Sequence, residues 1–148
     1  MNTGPGPDPA FRRSVVVGFD GSPSSERALA YATGMARRQN CALVVAHVVD
    51  PVPMVAKAGA QPPVLVEPEH DRSEELGREL RAAPELDELA WVLVERRGSV
   101  CGELESLAEE YEAHAIVVGG TTGVLRRLIA SVSGRLSRIA HRPVVIIP

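Results

Sequence analysis

Two runs of β-branched residues end in the same way, and this constrains the fold more than any other feature. Val15-Val16-Val17 stops at Gly18-Phe19-Asp20-Gly21-Ser22, and Ile116-Val117-Val118 stops at Gly119-Gly120-Thr121-Thr122-Gly123. An apolar-periodic segment follows each. Strands buried on both faces read as unbroken apolar runs, and a parallel α/β sheet presents its carboxyl edge, where such sheets bind ligands, in this form. The first loop offers a carboxylate, Asp20. The second offers backbone amides and hydroxyls. A carboxylate beside an amide-rich loop suits a ribose or base at one end and a phosphate at the other.

The remaining runs fit the same plan. Strands are predicted at Ser14 to Gly18, Ala42 to Val49, Trp91 to Glu95, Ala115 to Val118 and Val144 to Ile147. Helical periodicity places a first helix from Pro23 to about Arg38, with Ala28, Ala32 and Met35 on one face and Leu29 and Ala36 beside it. Ser22 suits the cap of that helix and Pro23 its first position. A charged helix starts at Asp71, carries Leu76 and Leu80 one turn apart, and is interrupted at Pro84, with a short continuation through Leu86 and Leu89. Gly98, Ser99 and Gly102 read as a turn, followed by a helix from Glu103 to Tyr111. A last helix is expected near Ser131 to Ala140, closed by His141. Right-handed crossovers turn this alternation into one open, five-stranded, mostly parallel α/β sheet with helices on both faces. Residues 13–148 form one domain on this reading. Residues 1–12 carry Gly4 and Gly6 alternating with Pro5, Pro7 and Pro9 and are expected to be a disordered tail. Pro51, Pro53, Pro62 and Pro63 mark a long irregular crossover, and Ala56 to Glu69 within it is expected to be mobile and able to fold over the cleft.

Composition narrows the classes of function. The chain has 148 residues, of which 45% are hydrophobic and only 3% aromatic, so valine, leucine, isoleucine and alanine must build the core. A formal net charge of -3 gives no coherent basic footprint, which argues against nucleic acid as a partner. No apolar run is long enough to span a membrane and no export signal is evident, so a cytoplasmic location is expected. Cys41 and Cys101 are isolated, without metal-ligand spacing, and are expected to be reduced thiols.

Generic chemical motifs are absent. No Gly-x-Gly-x-x-Gly follows the first strand, and the second glycine loop lacks the lysine ending of a P-loop. No Gly-x-Ser-x-Gly elbow and no histidine pair at metal-ligand spacing occur. His47 lies in the second strand as a structural histidine. Asp20 admits two readings, a turn and helix-cap residue or a ligand for a ribose or adenine amino group. It has no acidic partner nearby in sequence, which leaves hydrolytic chemistry little support. The loop from Gly119 to Gly123 likewise reads as a plain turn or as an anion cradle, helped by Ser131, Arg126 and Arg127.

The pattern as a whole resembles the universal stress protein family. Val15 to Ser22 with Ser25, Ala28, Leu29 and Ala32 is similar to its opening, and His47-Val-Val-Asp50-Pro51 to its second strand end. Leu104, Leu107 and Ala108 with Ile116 to Gly119 resemble its third helix and fourth strand. Ser131-Val132-Ser133 and Pro143 to Ile147 resemble its closing helix and strand. The resemblance covers nearly all of Ser14 to Pro148 and implies a Rossmann-like fold, a homodimer made through Val144, Val145, Ile146 and Ile147, and a role in stress response. Members of that family bind ATP or bind no nucleotide. In the ATP-binding members the residue matching Asp20 contacts the nucleoside and that matching Val48 packs near the adenine. The resemblance therefore implies Asp20, Val48, Gly120, Gly123 and Ser131 as the nucleotide site, with Mg only alongside ATP, and no catalytic residue beyond slow ATP hydrolysis. The family's phosphate loop reads Gly-x-x-Gly, nine residues, then Gly-Ser or Gly-Thr. Counted from Gly119, the second glycine is Thr122. Counted from Gly120, Gly123 fits, but only six residues precede Ala130-Ser131. The alternative is a dimeric interaction module of the same fold that binds no nucleotide.

Overall fold

Residues that can be buried on two faces at once dictate the centre of this molecule. The computed structural model describes residues 11, 13–49, 69–120 and 141–148. Strand β1 (Ser14–Gly18) is followed by helix α1 (Pro23–Gln39), strand β2 (Ala42–Val49), helix α2 (Glu69–Arg81) and a short 3-10 turn (Pro84–Leu86). Strand β3 (Trp91–Arg97), helix α3 (Val100–Glu110), strand β4 (Ala113–Gly119) and strand β5 (Val144–Ile147) complete the described elements. The sheet order is β3-β2-β1-β4-β5. All four pairings are parallel, as the sequence predicts.

The central strands alternate between two cores. Val15, Val17, Leu43, Val45 and Val117 pack with Ala28, Ala32 and Ala36 of α1 and with Leu76 and Leu80 of α2. Val16, Val44, Ala46, Ile116 and Val118 pack with Leu104, Leu107 and Ala108 of α3. Each fully buried valine or leucine contributes about 1.5–3 kcal/mol relative to exposure. The alanine stripe keeps α1 close to the sheet, and Ala28, Ala32 and Ala36 are all at 0% exposure. Helix α1 opens on Ser22, whose hydroxyl accepts from the Ser25 amide, and closes on Asn40 in the left-handed region at φ 51°.

Several boundaries differ from the sequence expectation. Strand β3 runs to Arg97 instead of Glu95, because His47, Val48 and Val49 of β2 pair with Glu95, Arg96 and Arg97. An edge strand tolerates such charges, and Arg96 reaches Glu110 of α3 at 2.7 Å. Strand β4 starts at Ala113 and ends at Gly119, two residues earlier and one later than expected. Helix α3 starts at Val100, because Ser99 is its cap and accepts from the Gly102 amide at 3.2 Å. Gly102 therefore lies inside the helix and not in a turn. The charged helix opens at Glu69, two residues before Asp71, and Leu76, Leu80 and Leu86 are buried.

Several expectations lie outside the described residues. They are the tail at residues 1–10 and 12, the crossover at 50–68, the loop after Gly120, and the helix near Ser131 to Ala140. Among the described residues no helix is long and apolar enough to cross a membrane, and Cys41 and Cys101 form no disulfide.

Candidate functional site

The sheet reverses its winding at β1. From there the chain steps outward to β2 and β3 on one side and, later, to β4 and β5 on the other. Such a switch point opens a crevice at the carboxyl ends of the two central strands. The register fixes what stands around it. Gly18 pairs with Ala46, so Asp20 and Val48 both lie two residues beyond a matched pair. Val17 pairs with Val117, so Asp20 and Gly120 both lie three residues beyond one. Asp20, Val48 and Gly120 are thus set at matching heights on three adjacent strand ends. Gly123 and Ser131 lie outside the described residues.

The backbone that carries Asp20 is held on all sides. The Phe19 amide donates to Ala46 O at 2.9 Å, which prolongs the β1–β2 ladder. His47 Nδ1 lies 3.2 Å from Phe19 O. A carbonyl only accepts, so Nδ1 carries the hydrogen and the tautomer is fixed. The Asp20 amide donates to Ser25 Oγ at 3.3 Å. Asp20 O accepts from Arg72 Nη2 at 2.9 Å. Every polar group of the Phe19-Asp20 backbone therefore has a partner, and three of the four partners belong to side chains from β2, α1 and α2.

The carboxylate takes part in the turn as well. Asp20 Oδ1 accepts from the Ser22 amide at 2.9 Å, the arrangement expected of an aspartate that opens a turn. Ser25 Oγ donates to Ser22 O at 2.9 Å and closes the same knot. Asp20 is exposed, yet enough protein surrounds it to be partly desolvated. That desolvation pushes its pKa up. The Ser22 hydroxyl and amide and the Ser25 hydroxyl, with a smaller electrostatic contribution from His47, together outweigh it and hold the carboxyl below the usual aspartate value. A carboxylate has about four lone-pair positions, so the bonds from Ser22 and Ser25 do not exhaust its capacity to accept. Turn former and ligand are compatible roles for this residue.

The other wall is set by a close approach. A Cβ built on Gly119 would stand 2.6 Å from both Ser24 C and Ser24 O. Only glycine lets the end of β4 lie against the first turn of α1. This brings the amide end of α1, with its partial positive charge, to the crevice. Val48 is partly buried and packs with the core on the α3 face, offering an apolar surface beside Asp20. The Gly120 amide donates to Ile147 O at 2.7 Å. That amide completes the β4–β5 ladder and is engaged within the sheet. Amides for an anion must come from residues further along the loop.

Sequence reasoning missed Arg72, and it read Gly119 as part of the loop and not as the point of close packing on α1. Arg72 reaches Asp20 across a separation of 52 residues, and no local pattern announces such a contact. The signal for Gly119 was the double glycine itself, whose first member has a packing role. Among the described residues no cluster of three or more metal-ligating side chains occurs.

Comparison with known proteins identifies the family and the fold. A family model described as the universal stress protein family matches residues 12–148. A universal stress protein of Mycolicibacterium smegmatis is 35% identical over 142 residues, covering 92% of this chain and 46% of the relative. A universal stress protein of Mycobacterium tuberculosis is 30% identical over 157 residues, covering 90% of this chain and 47% of the relative. The chain thus spans about half the length of these curated relatives. Among solved structures, a universal stress protein in complex with cAMP superposes with a TM-score of 0.62 at 25% identity, covering 92% of this chain and 97% of that one. A universal stress protein from Archaeoglobus fulgidus in complex with dAMP gives a TM-score of 0.62 at 21% identity, covering 93% and 99%, a likeness of fold. The parallel sheet, the switch-point crevice and the match over residues 12–148 lead to one conclusion: the chain belongs to the universal stress protein family.

Proposed function

We propose that the chain binds an adenine nucleotide in the crevice between the ends of β1 and β4 and acts as a regulatory module in a stress response. The observation that carries this reading is the matched height of Asp20, Val48 and Gly120 on three adjacent strand ends. Asp20 accepts hydrogen bonds from ribose hydroxyls or the adenine amino group. Val48 gives the base an apolar contact. The phosphates lie over the loop that leaves β4, with Gly120 at its root and Gly123 and Ser131 further along. Because the Gly120 amide is bound to Ile147 O, Gly120 serves this loop through its lack of a side chain and not as a donor. ATP is the favoured ligand, with Mg present only alongside it. The related protein solved with cAMP supports the adenine preference. On this reading residues 13–148 act as one cytoplasmic unit whose output is conformational. Any ATP hydrolysis is slow and incidental. The direct test is the nucleotide content of protein purified without added ligand, released by acid and separated chromatographically. An adenine nucleotide near one per chain is expected. Nucleotide-free protein that also fails to take up added ATP contradicts the reading.

A second reading has an observation of its own. Strand β5 has a single neighbour, β4, among the described strands, and Ile146 is 41% exposed on it. Pairing of Val144, Val145, Ile146 and Ile147 with a second copy would satisfy that edge. A homodimer through β5 is compatible with nucleotide binding. If the crevice takes no nucleotide, this surface becomes the working part of the molecule.

A further inference from the structure

We propose that Arg72 is a positioning residue for Asp20, and that through it occupancy of the crevice is communicated to helix α2. This rests on the nucleotide reading above and extends it to the regulation of the same site. Arg72 donates from Nη2 to the main-chain oxygen of Asp20 at 2.9 Å. Its contact is with the carbonyl, so it orients the residue and leaves the carboxylate for a ligand. Its other terminal nitrogen, Nη1, meets Glu75 Oε2 at 3.3 Å one turn along the same helix. That pair is exposed and adds little stability by itself, but it turns the guanidinium fork towards the loop.

The loop is shaped to receive this contact. Gly21 has φ +82°, a region L side chains seldom adopt, and a Cβ there would meet Arg72 Nη2 at 2.6 Å and Leu76 Cδ2 at 3.1 Å. Arg72 and Leu76 are four residues apart and share one helix face. The loop is thus held by a polar contact on Asp20 and backed by an apolar side chain that leaves no room for a Cβ at Gly21. Leu76 is fully buried, and Leu80 continues the same face into the core. Helix α2 cannot shift along its axis without releasing Asp20 O, and Asp20 cannot rotate without disturbing the first turns of α2. Coupling of this kind is reciprocal. A ligand that fixes the Asp20 carboxylate must also favour the docked position of α2. The β1–α1 loop thus links the crevice to a charged outer helix that can present the bound or empty state to a partner.

The test compares the unmodified full chain with Arg72→Met, which keeps the apolar stem and removes the donors, and with Arg72→Lys, which restores a cationic donor. ATP affinity is measured by calorimetry, and amide exchange is followed along α2 with and without saturating ATP. Arg72→Met should weaken ATP by about 2- to 30-fold, and Arg72→Lys should recover part of that loss. ATP should slow exchange along α2 in the unmodified protein and no longer do so in Arg72→Met at saturation. A merely structural role would lower the melting temperature while leaving the ATP-dependent protection of α2 in place, and that result overturns the proposal. Unchanged ATP affinity in Arg72→Met overturns it as well. Absence of ATP binding to the unmodified protein is a failure of the nucleotide reading instead. The latch is then judged without ligand: Arg72→Met should speed exchange at the Asp20 and Ser22 amides, and unaltered exchange there refutes it.

Discussion

Gly119 is where a single methyl group should do the most harm. Its substitution by alanine places a Cβ 2.6 Å from Ser24 C and O and 2.9 Å from Ser24 Cβ. Carbon contacts are comfortable near 3.5–4.0 Å, so the strand end and the helix start must part by about 1 Å. The obstacle is backbone, which cannot swing aside as a flexible side chain would. Nor can α1 retreat freely, because Ala28, Ala32 and Ala36 are fully buried against the sheet. Overpacking of this kind costs about 1–3 kcal/mol. For a chain of this size each kcal/mol moves the melting temperature by about 2–4 °C, so a fall of about 2–12 °C is expected. Gly18 is the control. A Cβ there meets Val118 Cγ1 at 3.6 Å and Leu104 at 3.7 Å, which is ordinary contact. Gly18→Ala should be close to neutral, or slightly stabilising because it restricts the unfolded chain. Calorimetric melts and urea titrations of both variants decide the matter. If Gly119→Ala melts with the unmodified protein, or if Gly18→Ala loses as much, the close approach of α1 to β4 does not govern this edge.

Three further outcomes follow from the same structure. Ile146→Lys places a charge on the exposed residue of β5 and should convert a dimer into monomer by light scattering at micromolar concentration, with little loss of stability; a monomeric unmodified chain rejects the β5 interface. Ser99→Ala removes the cap of α3 and should cost about 0.5–2 kcal/mol in urea unfolding, and no change would mean that the Gly102 amide finds another acceptor. Asp20 has a folded-state pKa below its unfolded value, so its contribution to stability is present above the unfolded value and is lost as pH falls through the folded one. Acid unfolding of Asp20→Asn should therefore lack the part of the pH dependence that lies in this acidic window, and profiles that overlay would show that the turn bonds do not favour the charged form.

How much of this was legible in the sequence depended on the range of the interaction. The bounds of β1, β2 and β5 follow from residues whose local composition and burial agree: Val15 to Val17 and Val144 to Ile147 are apolar and β-branched and are bounded by polar or punctuating residues, and Ala42 to Val49 is apolar but for His47 and stops before Asp50-Pro51. The faces of α1 and α2 followed from periodicity at Ala28, Ala32, Leu76 and Leu80. Strand β3 was read short because Arg96 and Arg97 look like a loop, whereas an edge strand needs only one partner and β2 provides it. Helix α3 was read short because Gly102 has poor helix propensity. The Ser99 hydroxyl, accepting from the Gly102 amide, outweighs that deficit at the first turn. At the site, Asp20 was found because it ends a strand. Its supports were not, since Arg72 reaches it through tertiary folding and the Ile147 carbonyl claims the Gly120 amide by sheet pairing. Periodicity carries no record of such contacts.

The central claim is that the crevice at the β1–β4 switch point binds an adenine nucleotide through Asp20. Calorimetric titration of ATP into the unmodified protein and into Asp20→Ala tests it most directly. Saturable binding is expected for the first. The loss of a charge-assisted hydrogen bond should weaken the second by about 1.5–3 kcal/mol, or roughly 10- to 150-fold, while its melting temperature falls only modestly, by the loss of the turn bond to the Ser22 amide. No saturable heat and no thermal stabilisation of the unmodified protein at millimolar ATP, or equal affinity in the two proteins, would contradict it.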